Sequence, residues 1–156
     1  MRWRVGCDRA ALSVLGAVLA ARLIAMACLP LFDPTEGRYA QIAQEMAVTG
    51  DWVTPRIWMH GEQIPFLGKP PLYFWATAAS MRLLGVNEFA ARLPNLIAAV
   101  ALLVLLGTIM ERYGGDGSGL LSVQIAASCV LLFGLGGAAV TDVFLALGVG
   151  GSLLCY

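Results

Sequence analysis

Two carboxylates and a guanidinium crowd into six residues of this sequence, Asp33-Pro34-Thr35-Glu36-Gly37-Arg38. A carboxylate half desolvated beside a cation stays ionised near neutral pH yet can still take a proton. Glu36 next to Arg38 is therefore a candidate general base for an acceptor hydroxyl or amine, and Asp33 is a second. The competing reading is that both acids merely cap the helix that starts there. Lys69 stands directly before Pro70 and Pro71, at the mouth of another helix. A cation in that place opposes the helix dipole unless an anion lies between them, which suits a phosphate. Otherwise Lys69 is an interfacial lysine with its stem laid on apolar surface.

Asp142 is the only charge from residue 117 to residue 156. An ionisable group isolated in apolar sequence normally faces a cavity or a partner; the plainer alternative is a span boundary open to water. His60, the single histidine, has no cysteine nearby and reads as a solvated loop residue. The GxGxxG, GxxxxGK[ST], HExxH and GxSxG patterns are missing, so soluble nucleotide, metalloprotease and serine-hydrolase chemistry lack support.

The elements that position these residues belong to a membrane protein. Of 156 residues 59% are hydrophobic and 13% charged, against about half and a quarter in soluble domains. Ten basic residues balance ten acidic ones, which leaves no polycationic surface for nucleic acid. Four cysteines without CxxC spacing read as small buried hydrophobes. Spans are expected at about 10–32, 95–111, 119–140 and, incompletely, 143–156, joined by an outer loop over 33–94. Because the last apolar run does not close, the chain reads as the amino-terminal part of a longer transmembrane domain, with the missing carboxyl-terminal part as a partner. Arg2, Arg4 and Arg9 ahead of the first span place the amino terminus in the cytoplasm. Arg22, within that span, either faces protein or snorkels to the interface.

Within the loop, Pro34 suits a first helical position; Tyr39, Ile42, Ala43 and Met46 repeat at helical spacing and Gly50 stops the run. The apolar stretch 71–85 is about 22 Å long as a helix, short of a hydrocarbon core of roughly 30 Å. It is therefore expected to lie flat, which puts Asp142 on the same face as Lys69. The expected fold class is all-α: polytopic transmembrane helices with interfacial helices in the first outer loop.

The motifs E-x-RYA-x-IA-x-EM from Glu36, GDW from Gly50, KPP from Lys69 and NEFAARLP from Asn87 together resemble the first outer loop of GT-C membrane glycosyltransferases. The resemblance is strongest to the group holding the lipid A aminoarabinose transferase and, more distantly, the protein mannosyltransferases. It implies inverting transfer of a sugar from a polyprenyl phosphate carrier to a lipid A-like, protein or glycan acceptor. The bilayer and the polyprenyl phosphate-linked sugar are the partners it implies, at the outer face of a bacterial inner membrane. It further implies catalytic roles for Glu36, Asp33 and Asp142, and substrate contacts for Arg38, Tyr39 and Lys69. Thr35-Glu36 stands where many relatives have Asp-Glu, so the base is Glu36 or Asp33; Gly68 replaces a glutamate before Lys69. No cofactor is required, and a divalent cation is left open. The alternatives are a transporter or flippase of an amphiphile, with Arg22, Lys69 and Asp142 along its path, and an inactive truncated fragment.

Overall fold

The computed structural model describes residues 6–31, 34–59, 61–129, 134 and 136–154, with side chains from 12 to 152. Asp33 and His60 lie outside the described residues. In chain order the elements are α1 (Gly6–Cys28), α2 (Pro34–Thr49), β1 (Arg56–Met59), β2 (Glu62–Pro65), α3 (Leu72–Leu84), α4 (Glu88–Gly114), α5 (Ser118–Ser128) and α6 (Asp142–Leu154). Among the described residues, α4 is the one helix both long and apolar enough to cross a membrane.

Helix α2 begins at Pro34, as the sequence predicts, and Gly50 ends it at φ +76°, a conformation that suits glycine. It buries Tyr39, Ile42, Ala43 and Met46 against α3. The short hairpin of β1 and β2 was not expected. It pairs Ile57 with Ile64 and Trp58 with Gln63 in antiparallel register, and it docks on α2 through the buried Ile57. Gln63 Nε2 donates to Glu45 Oε1 of α2 at 2.5 Å. The fold is all-α in class, as expected, with this one small sheet added to it among the described residues.

Edge-to-face rings bind the layers together. Tyr39 meets Phe74 at 5.6 Å and Phe66 at 6.0 Å, and Tyr73 meets Phe144 of α6 at 5.7 Å. Such pairs each contribute about 0.5–1.5 kcal/mol beyond area burial. Asn87 fixes the corner between α3 and α4. Its Nδ2 donates to the carbonyls of Leu84 and Gly85, and its Oδ1 accepts from Ala90 N–H at 2.8 Å. One side chain therefore closes one helix and opens the next. Helix α4 accordingly starts seven residues before the span that hydropathy marks, because the polar cap at Asn87 lies ahead of the apolar run.

Helices α4 and α5 form a tight hairpin. Glu111 accepts the N–H groups of Gly117 at 3.0 Å and Gly119 at 2.9 Å, capping the amino end of α5. A continuous helix over 119–140 is not what forms. Helix α5 ends at Ser128, Cys129 is extended, and residues 137–141 are non-helical. Gly134, Gly136 and Gly137 weaken helix propensity there. The backbone finds other partners instead: Arg22 Nη2 donates to Gly134 O at 2.6 Å, Asn95 Nδ2 to Ala138 O at 2.5 Å, and Ala139 N–H donates to Glu36. Arg22 therefore faces protein, with Gly137 packed against its guanidinium.

Candidate active site

Lys69 and Asp142, separated by nearly half of the chain, meet. Lys69 Nζ lies 3.9 Å from Asp142 Oδ1, with the two side chains 40% and 59% exposed. Lys69 precedes α3 and Asp142 opens α6, so the amino ends of two helices come together at this pair. Both ends carry partial positive charge, and Lys69 adds a full one. From the pair a groove of about 450 Å³ runs along α6 past Leu145, Gly148 and Val149, with Leu72 and Tyr73 on its other wall. One end of this groove is ionic and the rest is apolar, the form of an amphiphile with an anionic head. Burial pushes the Tyr73 phenol well above its ordinary range, with the nearby Glu36 charge a smaller contribution in the same direction, so its hydroxyl stays protonated.

Glu36 occupies a different place. It is 4% exposed, and its cation partner is Arg92 rather than the expected Arg38. Arg92 Nε and Nη2 donate to Glu36 Oε1 and Oε2 at 2.8 and 2.9 Å. The remaining Arg92 N–H groups reach Met26 O at 3.2 Å, Leu29 O at 2.5 Å and Pro30 O at 2.8 Å. All five donors of a guanidinium are thereby matched, three of them to carbonyls at the end of α1. Glu36 Oε1 also accepts Ala139 N–H at 2.9 Å. Protonating Glu36 would leave a buried guanidinium short of its counter-charge, a loss of order 3–5 kcal/mol.

Tyr39 is 7% exposed within the aromatic core and contributes packing there. Arg38 is exposed on α2 and is not among the residues lining the groove. The structure thus gathers Lys69 and Asp142 and sets Glu36 and Tyr39 behind them. Sequence reasoning missed Arg92 and Asn95. A buried arginine in a mostly apolar helix was the available signal, and its partner lies 56 residues away. Among the described residues no three His, Cys, Asp or Glu side chains gather to hold a metal ion. The groove offers a cation one carboxylate beside an ammonium, a donor set that does not fit one.

Residues 68–156 match the dolichyl-phosphate-mannose-protein mannosyltransferase family. The chain belongs to that family. It is also 31% identical over 77% of its length to an undecaprenyl phosphate-alpha-4-amino-4-deoxy-L-arabinose arabinosyl transferase of Erwinia tasmaniensis, covering 21% of that protein. A second relative carrying that name, from Proteus mirabilis, is 33% identical over 80% of the chain and 22% of the relative. The chain spans about a fifth of the length of these curated relatives. The crystal structure of ArnT from Cupriavidus metallidurans bound to undecaprenyl phosphate superposes on 94% of the chain and 26% of its own, with a TM-score of 0.81 and 24% identity. The fold is therefore the GT-C membrane fold, and the chain is a membrane protein.

Proposed function

We propose that this chain carries the donor-phosphate end of a glycosyltransferase that moves a sugar from a polyprenyl phosphate to an acceptor, with inversion. The observation that carries the reading is the groove with Lys69 and Asp142 at its charged end and apolar walls along α6. Relatives named for undecaprenyl phosphate-linked aminoarabinose support the lipid-linked donor; the acceptor on this reading is lipid A-like, protein or glycan. On this reading the apolar wall holds the first isoprene units and Lys69 holds the phosphate.

In the reaction the acceptor oxygen or nitrogen attacks C1 of the sugar from the face opposite the phosphate. The C1–O bond breaks with its electron pair going to the phosphate, and the proton of the acceptor passes to a carboxylate. Lys69 and the two helix ends stabilise the charge that develops on the leaving phosphate. Among the described residues Asp142 is the carboxylate that lines the groove and is open enough to take the proton, while Glu36 is committed to Arg92. Asp33 is the other candidate. Arg38, exposed on α2 and outside the groove lining, takes no part in this step. The site is assigned to the outer face of a bacterial inner membrane, with the amino terminus cytoplasmic, α3 lying flat and several spans crossing. The apolar exposed face of α3, with Leu72, Trp75, Leu83 and Leu84, supports the flat placement.

The test is sugar transfer by the full-length protein in vesicles supplied with an undecaprenyl phosphate-linked sugar. Lys69→Ala should raise KM for the donor, and Asp142→Asn should lower kcat by about 10²–10⁴-fold. Full turnover by Asp142→Asn would remove it from the proton-accepting role. A transport path is less well supported, because Arg22 bonds to Gly134 and lines a different groove from Lys69 and Asp142.

A further inference from the structure

The contact between Lys69 and Asp142 cannot hold itself together. At 3.9 Å and largely exposed, such a pair contributes about 0–1 kcal/mol. Something else must set where Asp142 stands, and the chain leading to it is non-helical from residue 137 to residue 141. Two buried side chains grip that segment from opposite helices. Asn95 of α4, fully buried, donates from Nδ2 to the Ala138 carbonyl at 2.5 Å. Glu36 of α2 accepts the N–H of Ala139 at 2.9 Å. Asp142 follows three residues later at the first position of α6, where Thr141 O accepts Leu145 N–H at 3.2 Å.

We propose that Asn95 and Glu36 are positioning residues that act on Asp142 through the backbone of Ala138 and Ala139, with Arg92 holding Glu36 in place. A buried amide in an apolar helix interface costs about 1–3 kcal/mol unless hydrogen-bonded, and here the bond is directed at the one segment that delivers the exposed carboxylate. Loss of this hold displaces Asp142 by roughly an ångström, enough to cost about 10²-fold in a positioned reaction. The kinetic consequence rests on the proposed transferase reading; the geometric one does not.

Two measurements on the full-length protein in vesicles separate them. Lys69 is the only lysine of the chain, so a carbodiimide amide between Lys69 and Asp142 reports their proximity within it without ambiguity. Asn95→Leu, which fills the apolar interface, should lower the yield of that crosslinked peptide at least about fivefold, and Asn95→Asp, which replaces the donor with an acceptor, should do the same. Unchanged yield in a variant that keeps the wild-type melting temperature would overturn the proposal. For turnover with undecaprenyl phosphate-linked sugar, Asn95→Leu should lower kcat in the wild type and add nothing in an Asp142→Asn background. Additive losses would mean that Asn95 acts on stability alone and would overturn it too. A crosslink that responds as expected in a protein that transfers no sugar would leave the positioning intact and remove the transferase reading.

Discussion

Glu36 and Arg92, 56 residues apart in sequence, form a two-pronged ion pair at 2.8 and 2.9 Å with both side chains 6% exposed. The pair joins α2 to α4, and Arg92 simultaneously closes the end of α1. Its value is structural, because every Arg92 donor is matched.

Breaking the pair from one side should therefore be severe. Glu36→Gln and Arg92→Met should each destabilise the protein by about 3–5 kcal/mol, read as a fall in the denaturation midpoint in detergent. Arg92→Lys keeps the charge but supplies three donors where five acceptors wait, so it should recover only part of that loss. A variant Arg92→Lys as stable as the wild type would show that the α1 carbonyls need no guanidinium.

The crossing of α4 and α5 depends on the absence of a side chain. A methyl group at Gly119 would lie 2.5 Å from the carbonyl oxygen of Gly107, a backbone atom with nowhere to go. Gly119→Ala should cost about 1–3 kcal/mol by thermal melting. Gly107→Ala should cost less, since its methyl would meet Val123 Cγ2 at 2.8 Å and that side chain can turn.

Arg22 makes the same argument from a side chain. A methyl at Gly137 would run into Arg22 Nε, so Gly137→Ala should displace the guanidinium from Gly134 O. The double variant with Arg22→Ala should lose less stability than the two single losses added together. Strict additivity in melting temperature would mean that the two residues do not touch.

Asp51 sets a pH dependence in the loop before the hairpin. Its carboxylate accepts the N–H of Thr54 at 3.2 Å and of Val53 at 3.1 Å, with Arg56 Nε at 3.4 Å, and these hold its pKa below the ordinary carboxylate value. A folded pKa below the unfolded one, about 3.9, means that the contribution is complete above that value. It disappears as pH falls through the lower, folded pKa. Protection of the Val53 and Thr54 amides from hydrogen exchange, taken relative to the intrinsic rate at each pH, should fall over that acidic range in the wild type, and Asp51→Asn should abolish that fall.

Legibility in the sequence followed the range over which each signal acts. Helix α2 was readable because Pro34, the stripe through Met46 and Gly50 are all local. Lys69 stood out because it precedes the two prolines at a helix mouth and Asp142 because charge is rare around it, and the structure brings them together. Arg92 was passed over as an ordinary polar residue ahead of a span, since nothing near it in sequence names Glu36 as its partner. The hairpin was missed because each strand is only four residues, too few for alternation to register, although Gly61 at φ +86° was its visible turn residue. The non-helical stretch from residue 137 could have been read from the glycines at 134, 136 and 137, whose low helix propensity yields to the apolar tally in a hydropathy sum.

Arg92 lies near one end of α4, whose 27 residues extend about 40 Å to the far hairpin with α5. A guanidinium tied to three helices makes a fulcrum. Any tilt of α4 against α1 and α2 leaves that anchored end nearly still and sends the displacement down the lever to Glu111, which carries α5 with it.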